Sequence, residues 1–448
     1  MKNALLIFAF LSFYLSSVHA SVEIRSNKLT TGDGLANNSI RYMFQDSKGF
    51  MWMGTVNGLS YYDGNSFVSI YPDPNLPVSL ADPRIRNMEE DSNGFLWIAT
   101  LSSLYSCYDL KHGRFVDFTG CGEYKQSYSK KIIASDQSIW LWDNNNGCRR
   151  VVYQNGQFSS QAYKKELGNL SSDEVLFVYE SNDSPGHVWI GTRQGLWKYH
   201  DGKLEAMDTQ GESWEHIFSY DQYTCIITGK KEIYRHSLSN NRLEKIASLT
   251  ELGDTGVITG SLRLQHQWVM FTATGSYILD PVTGKLRRFS RLNIKNGNVT
   301  RDNKGNAWVH NYTGNVWYVN TSTGDIKPFQ FLSSEHLGYI DVERYSIIHD
   351  SRDIIWITTY GNGLFAYDLN TGGLQHFTFE VSHSSHINSN YLQYIIEDRS
   401  GGIWVSSEFS GLSHLEILNK GTLRIYPNGE NASDRSNTIR MLLRGKNG

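Results

Sequence analysis

Charge, cysteine and proline are all scarce in this chain of 448 residues, and each shortage narrows what the protein can be. Charged residues make up 19% of the sequence, and 42 Lys and Arg against 45 Asp and Glu leave a formal net charge of −3. This balance supplies neither the basic footprint of a nucleic-acid-binding protein nor an acidic tail. The composition therefore predicts that nucleic acid is not a partner.

Four cysteines in a chain of this length are too few for a disulfide framework. They are Cys107, Cys121, Cys148 and Cys225, and Cys107 with Cys121 is the nearest pair. No two of them have the close two-residue spacing of a zinc site. Buried free thiols are the favoured interpretation, and disulfides remain the alternative.

Long apolar runs are absent after the N-terminus. Lys2 precedes an apolar run over residues 4–15, and Val18-His19-Ala20 has the small residues of a cleavage site. This pattern predicts a secretory signal peptide over residues 1–20, cleaved after Ala20. The alternative is an uncleaved anchor, but 12 apolar residues are short for a span of roughly 20. We therefore expect an exported, soluble product without a membrane span.

Aromatic residues and glycine are plentiful. Aromatics account for 13% of the chain, with 12 Trp and 26 Tyr, and hydrophobic residues for 40%. A disordered chain lacks that much material to bury, so the protein has a large core. Forty Gly against only 8 Pro indicate many tight turns, and together these features favour an all-β fold built from short hairpins.

A repeat with the pattern Asp-x-x-Gly-x-x-Trp runs through the chain. Clear copies occupy 46–55, 91–100, 183–192, 302–311 and 398–407, and the copy at 350–359 has Asp353 in place of the Gly. Weaker copies centre on Trp140 and Trp268, and another near residue 226 has lost its Trp. The nine markers are spaced by 44 residues on average.

Each unit has the pattern of four short strands, which we label a to d. In the first unit these are residues 40–45, 50–55, 59–63 and 67–71. Units of 40 to 45 residues with four strands are propeller blades, whereas the coils of a β-helix are much shorter. We therefore predict a propeller, in which the marker Trp packs against the neighbouring sheet.

The turns of the first unit follow known turn chemistry. Asp46 can accept hydrogen bonds from backbone N–H groups two or more residues on, and Gly49 supplies the positive φ that ends the a–b turn. Asn57-Gly58 in the b–c turn is a strong hairpin signal. The repeated Asp residues are thus interpreted as turn caps rather than as catalytic groups or calcium ligands.

Nine blades exceed the usual four to eight of one ring. We predict a seven-bladed propeller over residues 21–323, with residues 22–29 completing its seventh blade. A second propeller then begins near residue 325. Residues 324–448 would form two blades plus a fragment of it, with an open and aggregation-prone sheet edge. We also expect the coding sequence beyond residue 448 to continue the interrupted repeat.

No pattern of catalytic or metal-binding residues emerges. His383 and His386 lie in a polar loop without a third ligand nearby, which favours a solvated loop over a metal site. No Ser has a nucleophile-elbow pattern around it, and no phosphate-binding motif is present. Paired carboxylates for glycoside hydrolysis stay open, because their pairing is spatial. The sequence predicts no catalytic residue, no metal and no cofactor.

The complete pattern resembles the two-component regulator propeller repeat. Unit one carries it in Gly54, Thr55, Gly58, Leu59, Tyr62 and Asp63, and unit four in Gly191, Thr192, Gly195 and Leu196. The resemblance implies the periplasmic sensor of a hybrid two-component system from gut Bacteroidetes, in which two seven-bladed propellers precede a β-sandwich, a membrane helix, a kinase, a receiver and a DNA-binding domain. This chain would be such a sensor, truncated before the membrane helix and kinase, and would not itself be an enzyme.

The resemblance also implies a glycan-derived ligand, an oligosaccharide or monosaccharide, and allows a homodimer of the full-length receptor. Two other functions remain as alternatives. One is an exported propeller enzyme, a lyase or glycosidase acting on polysaccharide, and the other is a scaffold that binds protein. Turnover on a panel of glycans would favour the enzyme.

The predicted ligand site lies on the face formed by the b–c turns and the d–a connections. There we place Asn57, Arg193 and Tyr312 in b–c turns, and Trp214 in the connection over residues 206–215. An exposed indole can stack on a sugar ring while the polar side chains bond its hydroxyls. Under the alternative interpretation Trp214 plugs its loop against blade five. A site between two propellers of the intact receptor is a further alternative.

Overall fold

The computed structural model of the chain describes ten segments separated by short gaps. They are residues 22–119, 128–181, 184–208, 213–229, 232–254, 257–302, 304–311, 315–329, 346–380 and 386–418. These residues form nine antiparallel sheets of four strands each. The predicted all-β class and the propeller architecture are both confirmed.

Eight of the sheets take all their strands from one stretch of chain each, and we number them in chain order as blades one to eight. Blades one and two contain β2 (Ile40–Gln45), β3 (Met51–Thr55), β4 (Leu59–Tyr62), β5 (Phe67–Ile70), β6 (Ile85–Glu90), β7 (Phe95–Thr100), β8 (Tyr105–Asp109) and β9 (Arg114–Val116). Blades three and four contain β10 (Lys130–Ile133), β11 (Ile139–Trp142), β12 (Cys148–Gln154), β13 (Gln157–Tyr163), β14 (Val175–Glu180), β15 (Val188–Thr192), β16 (Gly195–His200) and β17 (Lys203–Asp208).

The next four blades repeat this order. Blades five and six contain β18 (Trp214–Asp221), β19 (Thr224–Gly229), β20 (Glu232–Ser237), β21 (Arg242–Ser248), β22 (Gly260–Leu264), β23 (Gln267–Phe271), β24 (Ser276–Leu279) and β25 (Leu286–Arg288). Blades seven and eight contain β26 (Asn298–Arg301), β27 (Ala307–His310), β28 (Val316–Val319), β29 (Ile326–Phe329), β30 (Ile347–His349), β31 (Ile354–Thr358), β32 (Leu364–Asp368) and β33 (Leu374–Phe377). Short 3₁₀ turns span Thr31–Asp33, Leu249–Leu252 and Ser290–Leu292.

Blade nine combines the two distant parts of the described chain. Its strands a, b and c are β34 (Leu392–Glu397), β35 (Ile403–Ser407) and β36 (Leu412–Leu418), and its outer strand is β1 (Glu23–Leu29). β1 runs antiparallel to β36, from Glu23 opposite Leu418 to Leu29 opposite Leu412. The first strand of the chain therefore completes the last blade.

The core lies between the blades and shows that the ring is closed. The described residues form nine buried apolar clusters, and each cluster joins two neighbouring blades. One of them packs Met53 of blade one against Trp404 of blade nine. Because every sheet buries both faces in this way, no single blade is stable without its neighbours.

The predicted division into a seven-bladed propeller and an incomplete second one is wrong. The strand Ile326–Phe329, which was expected to open the second propeller, pairs with Val316–Val319 as the outer strand of blade seven. Blade seven is thus complete without residues 22–29, whereas β36 of blade nine offers β1 a free edge. The N-terminal strand does close a ring as predicted, but the ring has nine blades.

The turn chemistry agrees with the sequence. The Oδ1 atom of Asp46 accepts hydrogen bonds from the backbone N–H groups of Lys48 and Phe50, at 3.0 and 2.9 Å. Gly49 ends this turn at φ 95°. The repeated Asp residues are turn caps. They recur at a fixed distance before the marker Trp because each one caps the a–b turn that leads into the strand carrying that Trp.

Cys107 and Cys148 are buried free thiols, and burial raises the pKa of both. Cys225 is buried as well. Cys121 lies outside the described residues, as does the predicted signal peptide. Among the described residues we find no helical segment with the length and hydropathy that crossing a bilayer requires.

Candidate functional site

The two faces of the ring are built from different turns. Because the strands of each blade alternate in direction, the b–c turns and d–a connections emerge on one face, which we call the upper face. The a–b and c–d turns emerge on the opposite, lower face. Of the predicted ligand residues, Asn57, Arg193 and Trp214 belong to segments of the upper face.

A cleft of about 140 Å³ opens on the upper face around blade five, and we call it the blade-five cleft. It combines polar side chains with an apolar wall, as ligand sites generally do. Its lining residues are Arg193, Glu215, His216, Thr228, Gly229, Glu232, Ile233, Leu249, Val257 and Ile258. Blades four, five and six all contribute.

The strand pairing of blade five brings two polar side chains side by side. His216 on β18 lies directly opposite Thr228 on β19, and the register shifts between Trp214 and His216 because of a β-bulge at Glu215. Bulges re-aim side chains at the ends of strands. The local sequence thus places His216 and Thr228 together at the upper end of the blade.

Both of these side chains hold a buried polar atom without a hydrogen-bond partner among the described residues. The atoms are Nε2 of His216 and Oγ1 of Thr228, and the Thr228 residue is only 1% exposed. Burial lowers the pKa of His216, against the raising effects of Glu215 and of a hydrogen bond with the Ile258 backbone. The imidazole is therefore neutral at pH 7. Unsatisfied buried polar atoms are destabilising. These two lie on paired positions and both line the blade-five cleft, where a ligand could satisfy them together.

Thr228 differs in this respect from the equivalent hydroxyl residues of five other blades. In those blades the residue three positions after the marker Trp donates a hydroxyl hydrogen bond to a carbonyl of its own b–c turn, at 2.6 to 3.0 Å. The residues that do so are Thr55, Thr100, Thr192, Thr359 and Ser407. In blade five the marker Trp is replaced by Cys225, and the Thr228 hydroxyl is left without this bond.

The cations around the cleft are each paired with a carboxylate. Arg193 forms an ion pair with Glu174, and the hydrogen bond from Arg193 lowers the pKa of this carboxyl. Lys245 pairs with Glu232 at 2.8 Å. Glu215 adds a further carboxylate, which accepts a hydrogen bond from the Ser213 hydroxyl at 2.7 Å. Since neither cation is left uncompensated, the cleft disfavours an anionic ligand.

The structure brings together only part of the predicted site. Arg193 lines the cleft. Trp214 is 1% exposed and packs on Tyr234 with ring centroids 4.9 Å apart. Its indole lies in the interface of blades four and five, in agreement with the alternative in which it packs against blade five. Asn57 is exposed on blade one, three blades away from Arg193. Tyr312 lies outside the described residues. Ligand binding by these four residues stays a prediction.

Sequence reasoning missed His216 and Thr228. The sequence signal for Thr228 is the loss of the marker Trp in blade five, because Thr228 stands three positions after Cys225, which replaces it. Metal binding finds no support in the part of the chain described, since it contains no group of three His, Cys, Asp or Glu side chains able to hold an ion. His386 is described, but His383 is not.

The strands and turns of blades one and two agree with a known repeat. The sequence profile of the two component regulator propeller matches residues 34–57 and 79–102, which cover the a–b hairpins of these blades and the loops before them. These two segments are two component regulator propeller repeats. The resemblance derived from the sequence is thereby confirmed.

Solved structures with a similar fold include two extracellular domains from B. thetaiotaomicron, each assigned to a hybrid two component system. One is 20% identical, with 88% of this chain and 65% of that chain covered at a TM-score of 0.32. The other is 18% identical, with 88% and 58% covered at a TM-score of 0.40. This chain thus spans about three fifths of those domains.

The Dos1 propeller is 12% identical, with 88% of this chain and 94% of that chain covered at a TM-score of 0.50. At this identity the similarity shows the propeller fold alone. No curated protein is similar enough to the chain to count as a relative.

Proposed function

We propose that this chain is the periplasmic ligand-sensing propeller of a hybrid two component sensor, and that it binds a small neutral oligosaccharide or monosaccharide in the blade-five cleft. The two component regulator propeller repeats support the sensor assignment. The apolar run over residues 4–15, followed by a cleavage pattern ending at Ala20, supports export. Signal transmission belongs to the kinase of such a system, so the role of this chain is recognition.

The pair of unsatisfied atoms carries the proposed ligand chemistry. The buried Oγ1 of Thr228 and the neutral imidazole of His216 lie on paired positions of one sheet. A sugar hydroxyl both donates and accepts a hydrogen bond, so one hydroxyl satisfies both side chains. The apolar wall formed by Ile233, Leu249 and Ile258 suits the C–H face of a sugar ring.

The test is calorimetric titration of the purified chain with a panel of neutral oligosaccharides and monosaccharides, comparing the wild type with two variants. Thr228→Val removes the unsatisfied hydroxyl but keeps the shape of the side chain. Thr55→Val is the matched control, since it removes the equivalent hydroxyl of blade one, which bonds the Gly58 carbonyl at 2.6 Å.

We expect Thr228→Val to weaken binding by about tenfold or more, the effect of losing one hydrogen bond worth roughly 1.4 kcal/mol. Its thermal stability should stay at or above that of the wild type, because no bond of the free protein is lost. Thr55→Val should bind normally and melt at a lower temperature. Equal binding by Thr228→Val and the wild type would contradict the site, and conversion of a glycan to products would favour the enzyme alternative.

A further inference from the structure

A second cavity opens on the lower face, between blades six and seven, and its chemistry differs from that of the blade-five cleft. Its volume is about 490 Å³. The lining residues are Arg263, Gln265, His266, Arg301, Thr321 and Ser322. Three of these six side chains are basic or can become so, two carry hydroxyls, and none is acidic. We call this cavity the lower groove.

Arg263 is held in place by contacts that leave its charge uncompensated. Its Nη1 donates to the Tyr220 carbonyl at 2.7 Å and its Nε to the Gln265 carbonyl at 3.0 Å. The guanidinium carbon lies 5.4 Å from the centroid of the Tyr220 ring. These contacts fix the guanidinium plane, while Nη2 has no hydrogen-bond partner among the described residues. No carboxylate of the described chain pairs with Arg263.

Arg301 is the last residue of β26 and its side chain is exposed at the groove. It forms no ion pair and no side-chain hydrogen bond with any residue that the structure describes. Many other arginines of the ring face a carboxylate. They include Arg25, Arg41, Arg84, Arg150, Arg193, Arg235 and Arg352. The groove thus joins two arginines whose charges are not neutralised by the protein.

The walls of the groove are fixed by hydrogen bonds across the blade interface. The backbone N–H of Gln265 donates to the Thr321 carbonyl at 2.7 Å, and its Nε2 donates to the Thr323 carbonyl at 2.9 Å. Arg291, outside the groove, donates to the Gly324 carbonyl at 3.0 Å. The c–d turn of blade seven is therefore held against the a–b turn of blade six, and the groove is formed before any ligand arrives.

We propose that the lower groove binds an oxyanion, a carboxylate, sulfate or phosphate group, through Arg301 and Arg263. Guanidinium groups match the geometry of these anions and bond them with two parallel N–H donors. His266 and the hydroxyls of Thr321 and Ser322 line the same space and can donate further bonds. This site goes beyond the proposed function, because it lies on the opposite face and takes a charged group.

The experiment titrates the purified chain with glucuronate, sulfate and phosphate, and with glucose as the neutral probe, using calorimetry at low and at physiological salt. Arg301→Gln removes the charge in the groove but keeps most of the side chain. Arg287→Gln is the matched control, because Arg287 is an exposed arginine on β25 of blade six outside the groove.

We expect at least one of the anions to bind the wild type, with an affinity that falls as salt screens the charges. Arg301→Gln should weaken this binding by about tenfold or more, while Arg287→Gln should bind like the wild type. Glucuronate binding more tightly than the inorganic anions would identify an acidic sugar as the source of the group. The reverse order would identify a free sulfate or phosphate.

Failure of this proposal is distinguishable from failure of the blade-five cleft. Thr228→Val should leave anion binding unchanged, and Arg301→Gln should leave the binding of a neutral sugar unchanged. Absence of binding by all three anions, or equal losses in Arg301→Gln and Arg287→Gln, would overturn the oxyanion site, whatever the neutral panel shows.

Discussion

Asp46 uses its two carboxylate oxygens for different contacts. Oδ1 caps the a–b turn, and Oδ2 accepts a hydrogen bond from the indole Nε1 of Trp52 at 2.8 Å. The same indole bond joins four further pairs at 2.7 to 3.2 Å, namely Asp91 with Trp97, Asp302 with Trp308, Asp350 with Trp356 and Asp398 with Trp404. The repeat thus couples its turn to its buried aromatic through one side chain.

In blades three and six, no Asp stands six residues before the marker Trp, and the indole lacks this hydrogen bond. Nε1 of Trp140 in blade three and of Trp268 in blade six is buried and has no hydrogen-bond partner in the described part of the chain. Each such atom is a local loss of stability. Sequence reasoning recovered the turn cap from the Asp-x-x-Gly spacing, but it missed the indole bond because that bond depends on how the Trp ring lies in the core.

Replacing Asp46 by Asn tests the indole bond. The amide keeps one oxygen for the turn but presents an NH₂ group where Trp52 needs an acceptor. We expect a loss of about 1–3 kcal/mol in the free energy of unfolding, measured by urea denaturation. Asp63→Asn is the control, since Asp63 also caps a turn of blade one but is exposed and bonds no indole. Equal losses in both variants would contradict the role of the indole bond.

Buried histidines make the stability depend on pH. Burial lowers the pKa of His236 from 6.5 to about 4, assisted by Lys198 and opposed by a hydrogen bond with Asn241. As the pH falls from 6.5 towards 4, the unfolded chain takes up a proton that the folded ring does not, so stability is lost over this window. The loss from one such group reaches roughly 3 kcal/mol. His310, with its pKa lowered by burial to about 4, adds to it.

We therefore expect the melting temperature to fall between pH 6.5 and 4.5, and to fall less steeply in His236→Gln. His266→Gln, which changes an exposed histidine, should show the same dependence of melting temperature on pH as the wild type. Melting curves recorded at several pH values measure this dependence in each variant. A wild-type slope in His236→Gln would show that another group dominates the effect.

The partner of β1 decides the architecture of the ring. Its residue Arg25 lies opposite Glu416 of β36, and their side chains come within 4.0 Å while both are largely exposed. Partners in an antiparallel pair have Cα atoms about 4.5–5.5 Å apart, within the reach of a disulfide. This pair therefore offers a direct test of ring closure.

We expect the double variant Arg25→Cys with Glu416→Cys to form a cross-link under mild oxidation, detected by mass spectrometry of unreduced peptides. Cys107, Cys148 and Cys225 are buried and therefore compete little for disulfide formation with the introduced cysteines. The control is Arg25→Cys with Tyr318→Cys, because a seven-bladed ring would place β1 beside β28. Cross-linking of the control pair instead would contradict the nine-bladed ring.

The local elements were largely predictable from the sequence. Strand b of the first unit was expected at 50–55 and is Met51–Thr55, because the turn residues on either side of it determine its bounds. The partner of β1 was not predictable in this way. It depends on which blade lacks an outer strand, and Ile326–Phe329 has the same local pattern whether it opens a ring or completes blade seven.

The candidate site shows the same limit. Arg193 lies in the b–c turn of blade four, as the turn pattern predicts. Trp214 lies outside the marker position, which makes it a candidate ligand residue in the sequence, yet it begins β18 and is buried against Tyr234. Whether an aromatic side chain in a connection faces solvent or the next blade is decided by packing between units, which no single unit encodes.

Hydrogen bonds on the lower face link neighbouring blades around the ring. Ser47 of blade one bonds Glu90 of blade two, Ser135 bonds Glu180, and Ser351 bonds Glu397. The series closes where Arg399 of blade nine bonds Gln45 and the Ser47 carbonyl of blade one. Together with the nine apolar clusters, these bonds distribute stability around the ring rather than concentrating it in one blade.

The pairing of β1 with β36 also has a mechanical consequence. The strands are antiparallel, and Glu23 and Leu418 lie opposite each other at the same end of the pair. Tension applied to the chain at these two residues loads that end alone, so the seven paired positions separate one after another instead of sharing the force. Strands loaded in this way unzip at low force. Pulling at Glu23 and Leu418 would therefore open the ring at blade nine, while the hairpin-linked strands of the other blades stay paired.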